Sequence, residues 1–431
     1  MPPLGASGYP SARPDRSTVI RAGRLLDVET GELLADREIV VTDGRVEVVR
    51  PWSGPLDDVA TVIDLSAYTV LPGLIDCHAH LIGDIEGSDV PSIAMSEAQE
   101  VLIGARNAAA TLRAGFTTVR DVGTFRAFLD CALRDAIDAG WVTGPRMQCA
   151  GAYVTAPEGG GELTGLPVGT TRPANARVGV VRDEADVRAA VGRILDGGAD
   201  LIKVIATGAV LTRGTDVNEV EVPEPLIRVA VEEAAARGAS VAAHAHGTEG
   251  IKHAIRAGVR SVEHGSLLDD EGIELMLSQG TFWVADIYDG DWIDEQGRRE
   301  GWPAETLAKN AATNDAQRAA FTRGVQAGVR IAYGTDSGVY PHGLNARQFA
   351  YMVRHGMTPL AAIRAATIVA AELMGWSDRV GTLEPGRWAD LVAVADDPLA
   401  DISALERPAA VVKGGRLIEI EGARPRAAAG R

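Results

Sequence analysis

Between residues 18 and 68 the chain alternates short apolar runs with polar positions and turns. The runs are TVIRAGRLLDV, REIVVTDGRVEVV and ATVIDLS, punctuated by glycine and aspartate in VETGE and TDGR. Alternate side chains on a strand face opposite ways, so this pattern predicts half-buried β-strands. The same rhythm returns near the other end in ADLVAVADDP and PAAVVKGGRLIEIEG. Two β-rich ends around a different middle predict one small β-sandwich domain assembled from residues 18–68 and 385–425. The Pro/Ser/Arg-rich residues 1–17 read as a disordered lead.

Residues 69–384 have another period. Apolar runs that suit buried strands are TVLPGLIDCHAH, FTTVRDVG, RMQCAG, DLIKVIATG, SVAAHAHG, SVEHGS, TFWVADIYD and RIAYGTDSG. Amphipathic stretches such as EAQEVLIGARNAAATLRAG, EADVRAAVGRILDGG, PLIRVAVEEAAARG and PLAAIRAATIVAAELMG lie between or after them, and several end in glycine, a common helix stop. Repeated strand–helix units predict parallel pairing, and eight of them favour an α/β fold of the (β/α)8 TIM-like barrel type over an open sheet.

Composition narrows the partners. Hydrophobic residues make up 46% of the chain, enough for a large core. The 42 basic residues against 59 acidic ones give a formal charge of −17, which disfavours nucleic acid and anionic membrane surfaces. The cysteines, Cys77, Cys131 and Cys149, show no paired spacing, which fits a reducing cytoplasm better than a disulfide framework. No apolar run reaches the roughly 18 residues of a membrane span, and the first residues lack the apolar core of a signal peptide.

Reactive groups in such a barrel sit at the C-terminal ends of strands. The first strand ends in His78-Ala79-His80, two imidazoles on one face that can share a metal ion. The fourth carries Lys203 among Leu201, Ile202, Val204 and Ile205, where a bare ammonium is costly to bury. Its amine could pair with a carboxylate, or carry a carbamate formed with carbon dioxide and bridge two metals. The fifth strand ends in His244-Ala245-His246, the sixth in Glu263-His264-Gly265 and the eighth in Gly334-Thr335-Asp336-Ser337. Five of the eight histidines stand at strand ends; His253 and His355 fall in helical stretches. That clustering favours a metal site over scattered structural histidines.

The set of HxH after strand one, lysine in strand four, histidines after strands five and six and aspartate after strand eight resembles the amidohydrolase superfamily. The flanking phrases VLPGLIDCHAHL, GTDSG and VGTLEPGRWADLVAVADDPL are also similar to it. TTVRDVG, LIKVIATG, AAHAHG, SVEHG and YGTDSGVYPHG look most like its branch of prolidase-like dipeptidases and carboxypeptidases. The resemblance implies one metal on His78, His80 and Asp336, a second on His244 and His264, and a carboxylated Lys203 between them. His244 is chosen over His246 because the family ligand usually comes first after the apolar run. Zinc suits these donors best, with manganese, iron and cobalt left open. Two such ions would acidify a bridging water and polarise a carbonyl, with Asp336 as the proton shuttle. The expected substrate is a small-molecule amide: a dipeptide, N-acyl amino acid, urea or aryl amide. A homo-oligomer is also implied.

Weaker substrate-contact candidates are His342 in VYPHG, Tyr288 after strand seven, Arg213 in the loop after Lys203, and His246. Arg120 and Asp121 read as a barrel-end ion pair, and Trp283, Trp292 and Trp302 as core packing. The chain departs from the branch after strand three: Val154 to Glu162 contains three glycines but no histidine, where many members carry a Gly-Gly-His-Gly loop. The metal ligands are untouched by that change, while a dipeptide substrate becomes less secure. Alternatives are a deaminase or cyclic-imide hydrolase on the same barrel, against which Lys203 argues, and a non-enzymatic scaffold, against which the complete ligand set argues.

Overall fold

A computed structural model of the chain describes residues 18–54, 61–82, 95–164, 169 and 171–419. The expected lead at 1–17 and the end of the chain beyond 419 lie outside the described residues.

Strands β1 (Thr18–Leu26), β2 (Leu33–Thr42), β3 (Arg45–Pro51) and β4 (Thr61–Pro72) come from the first β-rich stretch. They share a seven-stranded mixed sheet with three late strands, β14 (Leu391–Val394), β15 (Ala410–Lys413) and β16 (Arg416–Ile418), in the order β16-β15-β14-β4-β1-β2-β3. Only the β1–β4 pair is parallel; its register places Ile20 beside Ile63, while Ile20 faces Ile39 across the antiparallel β1–β2 pair. The inward positions of this alternation, among them Ile20, Ile39, Leu65, Val70, Leu391 and Val412, form one buried cluster. The sequence-based division at residue 68 falls inside β4, which delivers the chain into the barrel with Gly73 as the sole spacer. Glycine is required there: a Cβ would stand 2.1 Å from Thr117 Oγ1.

The barrel strands are β5 (Leu74–Ala79), β6 (Phe116–Asp121), β7 (Arg146–Cys149), β8 (Tyr153–Val154), β9 (Ile202–Ile205), β10 (Val241–Ala245), β11 (Ser261–His264), β12 (Phe282–Ala285) and β13 (Ile331–Tyr333). They form a three-stranded and a six-stranded parallel array. Backbone bonds join the arrays at both seams: Asp200 N to Cys149 O at 2.7 Å on one side, and Asp336 N to His78 O and His80 N to Ser337 O, each 2.8 Å, on the other. The third strand of the expected eight is split into β7 and β8 by the turn at Ala150–Ala152, where Ala152 N bonds Ala150 O. β5, β6 and β9 to β13 are buried along their whole length, as parallel strands covered on both faces must be.

Helices follow the strands as the periodicity predicts. Glu97–Arg113 starts with a capping box between Ser96 and Gln99, and Thr248–Ala257, Asp270–Gln279 and Ala304–Ala327 stop at left-handed glycines. The stretch PLAAIRAATIVAAELMG reads as one helix but forms two, Pro359–Ala365 and Ile368–Leu373. The break frees Ala366 O to accept the Ile75 amide at 2.8 Å, so a strand bond replaces helical ones. Among the described residues no helix is long and apolar enough to cross a membrane.

Candidate metal centre

His78 and His80 end β5, and their Nε2 atoms both point at one oxygen, Asp336 Oδ1, 3.4 Å from each. Their outer nitrogens are already engaged. His78 Nδ1–H donates to Glu263 at 2.9 Å, and His80 Nδ1–H donates to Gly123 O at 2.8 Å. Both acceptors lack protons, which fixes the tautomers and leaves each Nε2 lone pair facing the cavity.

The other half follows the same rule. His264 Nδ1–H donates to Asp286 at 2.6 Å, leaving its Nε2, and His244 Nε2–H donates to Gly208 O at 3.3 Å, leaving its Nδ1. The His264 ring stands 4.8 Å from His78 and 4.5 Å from His244, centre to centre. Two potential ligand groups result, His78–His264–Asp336 and His244–His246–His264, each with its donor atoms within 4.8 Å of one another. His246 joins the second group: its Nδ1 shares a 2.8 Å hydrogen bond with Ser266 Oγ, so its ring faces the same cavity as that of His244.

Two of the candidate ligand residues hold left-handed backbones, His264 at φ 64° and Asp336 at φ 55°. For a residue with a Cβ this costs roughly 1–3 kcal/mol and needs support. His264 O accepts from Trp283 Nε1 at 2.8 Å and Gln317 Nε2 at 3.1 Å; Asp336 is pinned through its amide on His78 O. Gly334 makes the approach possible, since a Cβ there would meet His78 Cβ at 2.9 Å and Val284 Cγ1 at 2.2 Å.

Lys203 lies on β9 and is 2% exposed. Among the described residues no carboxylate is within ion-pair distance of its amine, although Glu263 and Asp336 act on it through space. Burial pulls its pKa down to about 8 against the pull of those carboxylates. Burial also lowers His80 and His246 to about 3 each, and burial with the neighbouring imidazoles holds His244 well below the usual imidazole range. These rings are neutral and can donate a lone pair. For His78, burial and the Lys203 charge press downward, but Asp336 and Glu263 outweigh them and raise it. Burial opposes ionisation of Asp336, yet His78, His80 and His264 hold it below the usual carboxylate range. Asp289 has no such help: burial and the charges of Asp286 and Asp336 push it well above that range.

The cleft above these groups encloses about 830 Å³, part of it open to solvent. Phe125, Val210, Leu211, Ile293 and Val339 give it an apolar side; Asp289, Asn310, Thr313 and Asn314 give it a polar one. His78, His80, Lys203, His244, His246, His264 and Asp336 all line it. The other predicted contacts lie elsewhere. His342 bonds Thr111 Oγ1 at 3.0 Å and His80 O at 3.1 Å, behind the first ligands. Tyr288 accepts from Arg347 at 2.9 Å and packs edge-on against Tyr340. Arg213 is exposed and its side chain is not part of the lining. Trp283, Trp292 and Trp302 are not in the lining either; Trp283 braces His264 from the core.

The expected Arg120–Asp121 pair is not made, because the two point to opposite sides of β6. Arg120 crosses the barrel interior to Glu263 at 2.8 Å, Ser261 Oγ at 3.0 Å and Cys77 O at 2.6 Å. Asp121 instead accepts the amides of Leu81 at 2.8 Å and Gly123 at 3.1 Å, fixing the carbonyl that holds His80. The site uses residues to which the sequence reading gave no role: Glu263, Asp286, Gln317 and Tyr153, whose hydroxyl donates to Gly123 O at 2.9 Å. The available signal was an acid inside or at the end of a buried strand, as in SVEHG and TFWVAD.

The chain is similar to known proteins along most of its length. A model of the amidohydrolase family matches residues 69–418. Ochratoxinase of Aspergillus niger is 33% identical over 438 residues, covering 95% of this chain and 88% of that enzyme. A crystal structure of a Xaa-Pro dipeptidase with methionine in its active site superposes with a TM-score of 0.89 at 35% identity, covering 94% of this chain and 100% of that one. A prolidase solved with N-methylphosphonate-L-proline gives 0.84 at 30% identity, covering 94% and 99%.

Proposed function

This chain belongs to the amidohydrolase family and is a metal-dependent hydrolase of carbon–nitrogen bonds, and on that premise we propose a binuclear site acting on a small-molecule amide. One divalent ion would be held by His78, His80 and Asp336 and a second by His244 and His264, with a carboxylated Lys203 as a further ligand. Zinc is the preferred ion for this mixture of imidazole and carboxylate donors. The observation that carries the reading is the convergence of two histidine Nε2 atoms on Asp336 Oδ1, with every outer ring nitrogen of His78, His80, His244 and His264 already bonded to an acceptor. The carbamate is supported by a buried amine with no ion-pair partner among the described residues, held at a pKa of about 8 so that neutral amine is available to carbon dioxide.

When bound, the ions supply an acidified water and a polarised carbonyl. The chain does the rest. Asp336 takes the proton of the attacking water and returns it to the amide nitrogen, which leaves poorly unless protonated. Glu263 and Asp286 keep His78 and His264 in the required tautomers. Water adds across the bond, giving a carboxylic acid and an amine.

The test is metal analysis joined to a hydrolysis screen over Xaa-Pro and other dipeptides, N-acyl amino acids, aryl amides and ureas. Two metals per chain, with one or both lost in Lys203→Ala, and cleavage of at least one amide class are expected. One tightly held metal indifferent to Lys203, with turnover of aminated rings alone, would overturn the reading.

A further inference from the structure

We propose that Asp130, Cys131 and Cys149 form a further, structural metal site apart from the cleft, one that takes a thiophilic divalent ion of the zinc class. The site goes beyond the hydrolase reading and does not rest on it.

The cysteines show no paired spacing along the chain, yet the barrel brings two of them together. Cys131 stands in the first turn of the helix Leu129–Asp138, directly after Asp130, and Cys149 ends β7. Their sulfurs and an Asp130 oxygen lie within 4.8 Å of one another, and all three residues are buried. None of them lines the cleft. Zinc holds a thiolate at about 2.3 Å and a carboxylate oxygen at about 2.0–2.2 Å, so an ion within that triangle reaches all three donors after small side-chain shifts.

The backbone holds the donors in place. Asp130 accepts the Cys131 amide at 2.9 Å through Oδ1 and the Gly151 amide at 2.8 Å through Oδ2. Each oxygen keeps a lone pair, so the carboxylate can fill two corners of a tetrahedron beside the sulfurs. Phe128 N bonds Gly151 O at 2.8 Å, which ties the start of the helix to the turn after Cys149. The first turn of a helix also favours a thiolate at Cys131.

Charge supplies an independent observation. Cys149 bonds Cys131, and Cys131 bonds Asp130, in a row of acidic groups. Asp121 acts on the same cluster through space. Among the described residues no lysine or arginine stands within ion-pair distance of Asp130 or Asp121. Arg134 acts on Asp130 from further away, its guanidinium engaged by Asp135 at 2.8 Å and Asp200 at 2.7 Å. Around the thiols the shell is apolar, with Leu81, Val119 and Met147. Burial, the Cys131 thiol and the charges of Asp130 and Asp121 hold the Cys149 thiol well above its usual range. A divalent ion reverses that balance: both thiols bind it as thiolates and their two protons pass to solvent. Calcium and magnesium prefer oxygen donors, whereas two sulfurs select a softer ion. Its place is structural, because it would staple the helix to the turn that leads into Tyr153 at the cleft.

Cobalt(II) is the probe. The full chain is expressed in cobalt-supplemented, zinc-depleted medium, so that a sealed site fills as the chain folds, and is purified under a phosphine reductant. Imidazole and carboxylate ligands in the cleft give no sulfur-to-metal charge transfer. A thiolate-to-cobalt band in the near ultraviolet is therefore expected from Cys131 and Cys149 alone. Cys131→Ala and Cys149→Ala should each lose the band and one metal per chain, while Cys77→Ala and Lys203→Ala keep the band. A cobalt-loaded wild type without the band, or a band unmoved by both cysteine variants, would overturn the site. The wild-type spectrum decides alone if those variants fold poorly. Neither result touches the hydrolase reading, which the metal analysis and substrate screen above address.

Discussion

The floor of the cleft and its polar wall are built on opposite terms. On the floor, four imidazoles have their outer nitrogens bonded to Glu263, Gly123, Gly208 and Asp286, and Glu263 is itself held by Arg120. On the wall, Asn314 Oδ1 is buried against Gly290, and no lysine or arginine among the described residues pairs with Asp289. A floor finished in this way presents its inner lone pairs in fixed directions, as a metal requires. The wall groups instead turn to their neighbours, Asp289 to the Gly290 amide and Asn314 to Asp291. The difference separates a frame braced across the barrel from side chains held by local contacts.

Asp336 belongs wholly to the floor, so removing it should give the largest effect. In Asp336→Asn, kcat is expected to fall by roughly 10²–10⁴-fold, in line with the loss of a positioned acid–base group. Metal content measured on the same sample separates loss of a ligand from loss of the shuttle. Retention of more than a tenth of the activity would place the proton carrier elsewhere.

Next comes the brace beneath the floor. Arg120→Met leaves Glu263 charged and buried without its cation, which should cost about 3–5 kcal/mol of stability. Through His78 it should also weaken metal binding about 10–100-fold, read by chelator competition. Pairing it with Glu263→Gln should restore much of the stability but not the metal affinity, because a glutamine amide can still accept from His78 while lacking the charge that strengthens that ligand. Recovery of both would reduce the pair to packing.

Asp76 tests the floor through pH. Its carboxyl accepts from Thr335 at 2.6 Å and Asn345 at 2.8 Å, yet burial outweighs these bonds and raises it from 3.8 to about 6. A carboxyl whose folded pKa is raised favours the folded state while protonated, and that contribution is lost as pH climbs through the folded value. A shift of this size corresponds to about 3 kcal/mol at most. Denaturant unfolding of the metal-stripped chain should therefore show stability falling between pH 4 and 7, and Asp76→Asn should flatten that slope. An unchanged slope would assign it to other groups.

What could be read in the sequence divides along the same line as floor and wall. His78, His80, Lys203, His244, His264 and Asp336 were legible because each stands in or at the end of an apolar run, and a barrel brings such ends together. Their supports were not. Arg120 meets Glu263 across 143 positions of chain, and nothing local distinguishes it from a partner for adjacent Asp121. Asp289 and Asn314 come from consecutive helices whose crossing no periodicity reports. The break at Ala366 was hidden for a related reason: the stretch has helical propensity throughout, and only the demand of Ile75 for an acceptor interrupts it.

His342 and Arg213, paired as candidates by their positions in loops, should now part company, with effects smaller than any above. His342→Ala removes the hydrogen bonds to Thr111 and to His80 O, each worth about 1 kcal/mol. Stability should drop by about 1–2 kcal/mol and kcat by less than tenfold, with KM unchanged because the ring lies outside the cleft. Arg213 is exposed at the loop rim, and Lys309 pins the same loop, its Nζ donating to Ala209 O at 3.1 Å, Thr212 O at 2.6 Å and Thr215 O at 3.1 Å. Arg213 acts on Glu305 through space, and losing an exposed interaction of this kind costs about 1 kcal/mol or less. Arg213→Ala should thus leave kcat and KM within about twofold for substrates with and without a carboxylate. A tenfold rise in KM confined to carboxylate-bearing substrates would mean that the loop swings Arg213 over the cleft, where it would bind the substrate's acid.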